Sequence, residues 1–371
     1  MHINIIDPGM RTYAGHHCDI NARVARELIS RGHSVTIYAN QSFRPKQKDL
    51  DLRIEAIFAA NPYALRGIPK GIGRYFRNNK DFDVSAKQFA DELAQVEPAG
   101  ALLFPTLFPY QLYGLCRSLK ELPPVFLVMH NAPGWRGPFG EELWRKAFDA
   151  SMPFARNLHL GVFENELFPE FERLLPAGAL KLTRFPIPHD GMPPRRRTAL
   201  STVGILGHQR STKGLERLQQ NVDRITRLGF RVIVQNSQET PLEELASGNP
   251  AVSHYGYIDE LPSLINECDA LLLDYDTEMY RRGGSGIAWE AVACGVPLIV
   301  PDGTTMSMLV EHYRCGLKFG QDDAEAPFKA LQEAKENYDE LAGNVLQASE
   351  KFRSIHGTKK FVDFLLARIS S

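Results

Sequence analysis

No stretch of this chain approaches the roughly 18 apolar residues of a membrane-spanning helix. Runs such as Val125 to Met129 and Leu271 to Leu273 are strand-sized. Nor is one sign of charge in excess: 43 Lys and Arg face 44 Asp and Glu, a net charge of −1, so bulk electrostatics gives no reason to expect a nucleic-acid partner. The five cysteines, at 18, 116, 268, 294 and 315, include no C-x-x-C pair and no cluster with histidine. They read as reduced thiols in or near the core of a cytosolic protein, and structural zinc is not expected. The N-terminus, Met1-His2-Ile3-Asn4-Ile5-Ile6-Asp7-Pro8, has no basic leader and too short an apolar run for a secretion signal, so a cytoplasmic location is expected. No repeat of 20 to 50 residues and no low-complexity tract is present.

At 371 residues the chain is long for one core, and its hydrophobic and charged fractions, 43% and 23%, are those of a globular protein. Short β-rich runs alternate with helical patterns. In the first half they are Ile3 to Ile6, Val35 to Tyr38, Ala101 to Phe104, Val125 to Met129 and Leu158 to Phe163. In the second half they are Val203 to Leu206, Arg231 to Gln235, Val252 to Tyr255, Ala270 to Leu273 and Pro297 to Val300. This alternation predicts an α/β protein of two doubly wound, parallel-sheet, Rossmann-like domains. Ile20, Val24 and Leu28 share one face of the first helix, which Arg31-Gly32-His33 ends. The non-periodic, proline-rich stretch from Phe185 to Arg197 marks a linker. The expected division is 1–185, a linker at 186–199, a second domain at 200–355, and a C-terminal helix at 356–371 that returns to the first domain.

The richest segment runs from Gly283 to Pro297. Ser285 is an N-cap type and Gly295 a left-handed stop, predicting a helix over 286–294. The free N–H groups at its start suit a phosphate. Glu290 follows Gly286 by four residues, so it shares that face, its side chain leaning back towards the helix start across roughly 5.4 Å of pitch, about the reach from a diphosphate to its ribose hydroxyls. An ordinary surface helix with glycines in its entry loop has the same local pattern. After the first strand of the second half comes Gly207-His208-Gln209-Arg210-Ser211-Thr212-Lys213-Gly214, with two cations where parallel sheets gather ligands. The corresponding loop of the first half, Asp7 to His17, lacks G-x-G-x-x-G, which argues against a nicotinamide-dependent dehydrogenase.

Gly207-x5-Lys213-Gly214, then Tyr255-Gly256-Tyr257-Ile258, Cys268-Asp269-Ala270 and Glu290-Ala291-Val292-Ala293-Cys294-Gly295-Val296-Pro297 resemble, in order and spacing, the retaining GT-B glycosyltransferases with an E-x7-E motif. Arg31-Gly32-His33-Ser34-Val35-Thr36 resembles them too. The resemblance implies a GT-B fold whose two domains face a cleft, and a donor diphosphate bound by Lys213 and, where the usual arginine is His208, by Arg210, with His208 itself as the alternative. It implies phosphate contacts at Gly207, Gly284, Ser285 and Gly286, nucleotide contacts at Tyr257 and Ile258, and a ribose contact at Glu290. Gly15 and His16 take the position of the family's paired glycines. His130, with Asn131 beside it on the acceptor side, takes that of a histidine near the reacting sugar. The family's first Glu, which helps to hold the transferred sugar, is Arg282 here, so Arg282 takes that donor-side position, and Asp274, Asp276 or Glu278 is the alternative source of a carboxylate from the same loop.

The implied function is transfer of a sugar from a UDP or GDP donor to a glycan or lipid-linked acceptor, with retention, no metal and no cofactor, in bacterial-type polysaccharide or glycoconjugate synthesis. Arg282 keeps a second reading open, a catalytically impaired nucleotide- or glycan-binding accessory protein. Arg66, Lys70, Arg74, Arg77 and Lys80, interleaved with apolar residues and with no acid among them, predict a peripheral contact with an anionic membrane at its inner face. A solvated basic loop has the same composition.

Overall fold

The computed structural model describes residues 1–13, 17–63, 79–118, 120–134, 139–207, 213–235, 249–256 and 258–369. They form two compact units, Met1–Pro188 with Thr358–Ser371, and His189–Gly357.

The first unit is built on β1 (His2–Asp7), β2 (Ser34–Asn40), β3 (Arg53–Phe58), β4 (Ala101–Phe104), β5 (Val125–Val128), β6 (Leu158–Val162) and β7 (Leu182–Arg184). They make one parallel sheet in the order β3-β2-β1-β4-β5-β6-β7. The order reverses between β1 and β4, the switch point at which loops diverge and leave a crevice. The inner strands are buried on both faces, which is why they read as unbroken apolar runs. Helices α1 (His17–Ser30), α2 (Asn79–Leu93), α3 (Pro109–Ser118), α4 (Phe139–Ser151) and α5 (Leu167–Glu172) belong to this unit. Ile20, Val24 and Leu28 of α1 are buried at the predicted four-residue spacing.

The second unit holds β8 (Thr202–Ile205), β9 (Arg231–Gln235), β10 (Val252–Tyr255), β11 (Ala270–Leu272), β12 (Leu298–Pro301) and β13 (Gly316–Phe319), with helices α6 (Leu218–Arg227), α7 (Leu261–Glu267), α8 (Thr277–Tyr280), α9 (Gly286–Ala293), α10 (Thr305–Tyr313), α11 (Ala326–Glu336) and α12 (Tyr338–Ile355). Its sheet is also parallel, in the order β10-β9-β8-β11-β12-β13, with the switch between β8 and β11. The last helix, α13 (Thr358–Ile369), lies in the first unit. There Phe361 and Phe364 pack on Phe185, and Arg31, just past the end of α1, pairs with Asp363.

Three strands had no counterpart among the sequence-based expectations: β3, β7 and β13, each at the edge of its sheet. An edge strand is covered on fewer sides, so its residues need not be apolar. In β3 only Phe58 is buried. From His189 onward the proline-rich segment is packed into the second unit. Arg197, 4% exposed, donates to the carbonyls of Cys268 at 3.0 Å and Gly295 at 2.9 Å and to Asn266 Oδ1 at 2.8 Å. Among the described residues no helix is long and apolar enough to cross a membrane.

Candidate nucleotide site

The second unit brings β8, β11 and the start of α9 together. Gly207 follows β8 with φ +99°, a left-handed conformation that favours glycine, and its N–H donates to Gln235 Oε1 at 2.7 Å. A Cβ placed on Gly207 would lie 3.3 Å from both Lys213 Nζ and Ile287 Cγ1 and 3.5 Å from Tyr275 Oη. A loop glycine, a lysine ammonium and the first turn of α9 therefore meet at one point. The half-buried Lys213 holds its ammonium 4.7 Å from the centre of the Tyr275 ring, a cation–π distance. Gly214, φ +74°, lets the chain pass Asp274, whose carbonyl would stand 2.7 Å from any Cβ there.

Helix α9 starts as its sequence predicts. Ser285 has extended backbone angles and its Oγ accepts from Ala288 N at 3.4 Å, a long N-cap bond. Gly295 closes the helix at φ +64°. Thr305 Oγ1 donates to the carbonyl of Gly283 at 2.6 Å and holds the entry loop, where Gly284 and Gly286 are half-buried. A helix start with a nearby ammonium is an anion site by charge and by orphan N–H groups.

Glu290 is 2% exposed. Its Oε2 accepts from Gly191 N at 3.0 Å, and its Oε1 lies 3.2 Å from His189 Nδ1. Neither partner was visible as such in the sequence, where 189 and 191 read as linker. The carboxylates near Arg282 have structural employment. Asp274 accepts from Arg217 Nε at 2.8 Å, Arg217 Nη2 at 2.9 Å and Asn221 Nδ2 at 3.0 Å, and Asp276 caps α8 through Met279 N at 2.8 Å. Glu278 pairs with Arg281 at 3.3 Å on the surface, and Arg282 is exposed. Ile258 is half-buried beyond β10. Gly15, His16, His208, Arg210 and Tyr257 lie outside the described residues, as do Arg66, Lys70, Arg74, Arg77 and the side chain of Lys80.

In the first unit, half-buried His130 follows β5 with its ring edge-on to Phe163, centroids 4.7 Å apart, and Asn131 beside it is half-buried. His130 lines a cavity of about 10 Å³, the size of one water, together with Asp7, His17, Asn21 and Thr106 at the switch point. Asp7 Oδ2 is 2.8 Å from His17 Nδ1 and 2.7 Å from Asn21 Nδ2, while His17 Nε2 is 2.8 Å from Tyr63 Oη. Sequence reasoning singled out neither Asp7 nor His17. The signal was there, an acid ending the first strand and a histidine opening the helix that follows. Glu164, just past β6, is 6% exposed, and burial pushes its carboxyl up to about 8.

Two doubly wound parallel sheets, each with its loops gathered at a switch point, define a two-domain Rossmann-like protein of the GT-B architecture. Residues 197–337, from before β8 through α11, match the family described as glycosyl transferases group 1. The whole chain is similar in fold to sucrose-phosphate synthase from Thermosynechococcus elongatus, at 14% identity, covering 99% of this chain and 98% of that one with a TM-score of 0.69. It is similar also to Anabaena HepE in complex with UDP and glucose, at 13% identity, 100% and 99% coverage and a TM-score of 0.64. WaaG, a glycosyltransferase involved in lipopolysaccharide biosynthesis, aligns at 13% identity, 99% and 98% coverage and a TM-score of 0.58. The matching family and WaaG are described as glycosyltransferases. No curated protein matches by sequence.

Proposed function

We propose that the protein transfers a sugar from a nucleoside diphosphate sugar, linked to UDP or GDP, to a glycan or lipid-linked acceptor in bacterial-type polysaccharide or glycoconjugate synthesis. The observation that carries this reading is the meeting of Lys213 and the first turn of α9 around Gly207, with Glu290 one helical turn further on. Departure of the nucleoside diphosphate develops negative charge on phosphate oxygens, which Lys213 and the N–H groups after Ser285 are placed to stabilise, with Arg210 as a second cation. That supply of positive charge is why no metal is invoked. Glu290 accepts from the pentose hydroxyls. The departing phosphate takes the acceptor proton on the same face, giving retention, while His130 and Asn131 orient the acceptor. The basic stretch from Arg66 to Lys80 is the proposed contact of a lipid-linked acceptor's membrane.

A thermal-shift panel of UDP, GDP and NAD tests the reading, since a ligand at about 100 times its Kd adds about 2.7 kcal/mol of stability. Stabilisation by UDP or GDP and none by NAD is expected; a shift with NAD alone, or none with any nucleoside diphosphate, overturns it. One observation favours the second reading, an accessory protein that binds but does not catalyse. Arg282 stands exposed where a carboxylate is implied, and Asp274 and Asp276 are engaged elsewhere. Failure of the best-binding nucleotide's sugar conjugates to be consumed supports that reading.

A further inference from the structure

We infer that His189 is the positioning residue for Glu290, setting the plane of its carboxylate and thereby the protein's preference for a ribonucleotide; this rests on the nucleotide reading above. The segment 189–191 lies directly against α9 because residue 191 is a glycine. Gly191 has φ +62°, and a Cβ there would stand 2.6 Å from Ala293 C and 2.8 Å from Cys294 N. That approach puts Gly191 N–H on Glu290 Oε2 at 3.0 Å and His189 Nδ1 at 3.2 Å from Oε1. The imidazole is 4% exposed and its ring is 5.5 Å from that of Trp289.

Contacts on both of its oxygens fix a carboxylate's plane, and with it the directions in which it accepts. His189 supplies the contact at Oε1, its Nδ1 standing 3.2 Å away at an angle off the hydrogen-bond axis. The other ring nitrogen, Nε2, has no hydrogen-bond partner among the described residues. Burying an unpartnered ring nitrogen is a cost that an apolar side chain of the same volume avoids. What the imidazole adds is the polar atom at Oε1.

Titration calorimetry of UDP against 2′,3′-dideoxy-UDP, with the guanine pair run in parallel, tests this on wild type, E290Q, H189F and H189Q. Wild type is expected to favour the ribonucleotide by on the order of tenfold or more, the worth of hydrogen bonds to a charged group. E290Q loses most of that ratio. H189F loses it to a similar extent while binding the dideoxynucleotide within about twofold of wild type, and H189Q, which keeps a polar side chain able to face Oε1, recovers most of it. If H189F does not fold, H189M, whose flexible side chain fills the space adaptably, reads the same ratio. A merely structural His189 weakens both ligands alike and leaves the ratio at its wild-type value, which overturns the inference. A wild type that binds both members of a pair equally refutes the ribose contact at Glu290 itself, a separate failure.

Discussion

Replacing Lys213 by alanine sets two local effects against each other and separates chemistry from folding. In the apo protein the ammonium gains from the Tyr275 face, 4.7 Å away, about 0.5–1 kcal/mol at a partly exposed site. Against this, a cation beside the first turn of α9 opposes the helix dipole by about 0.3–1 kcal/mol. The two nearly cancel, so K213A is expected to unfold in urea within about 1 kcal/mol of wild type. With a diphosphate present the balance changes sign, because the same cation is then a charge-assisted donor worth about 1.5–3 kcal/mol in the ground state. As charge develops on the leaving phosphate, one preorganised donor is worth about 2.7–4 kcal/mol. Turnover should fall by roughly two to three orders of magnitude, and the Kd for UDP or GDP should rise by about tenfold or more. Single-turnover release of nucleotide from the donor identified by the binding panel, with calorimetry of the free nucleotide, measures both. K213A that keeps wild-type turnover and nucleotide affinity refutes the role given to Lys213, and a loss of several kcal/mol in apo stability refutes the cancellation.

Two further outcomes follow from buried carboxyls. Asp269, 6% exposed, accepts from Ser201 N at 3.1 Å, Ser201 Oγ at 2.7 Å and Thr202 N at 3.0 Å, fastening the start of β8 to that of β11. Asp269→Ala strands those donors and should cost about 3 kcal/mol in urea unfolding, and a loss below about 1 kcal/mol would count against this account. Glu164 has its folded pKa raised by burial from 4.5 to about 8, so the folded state binds its proton more tightly than the unfolded one. Its contribution is fully present below about pH 4.5 and is lost as pH rises towards 8. The stability of E164Q relative to wild type should therefore climb across that window by a few kcal/mol at most, and a difference independent of pH would show that Glu164 does not titrate as described.

The parallel interior strands were legible because a strand covered on both faces must be apolar along its length, as Leu102, Leu103 and Phe104 of β4 are. Of the edge strands β3, β7, β10 and β13 only β10 was, because an edge strand is covered on fewer sides and need not be apolar, as in β3, where only Phe58 is buried. Helix α9 was legible for a different reason. Its cap, Ser285, and its left-handed stop, Gly295, are local features, satisfied by atoms a few residues away. Gly295 also answers a tertiary demand, since a Cβ there would stand 2.8 Å from Pro194 Cβ. The linker expectation rested on the lack of periodicity from 186 to 199. That pattern does not distinguish a free segment from one held by long-range bonds such as those of Arg197.

The sequence by itself determined what short-range physics enforces: two runs of alternating strands and helices, a capped helix with Glu290 on the face of its first residue, and a glycine followed by cations after the first strand of the second unit. Only the tertiary structure decided which side chains those elements bring together. Lys213 meets Ile287 at Gly207, His189 meets Glu290 across a hundred residues of chain, and His17 meets both Asp7 and Tyr63. Backbone propensity acts over a few residues, whereas a buried polar atom takes its partner from whichever element packing places within about 3 Å, and no local pattern records that choice.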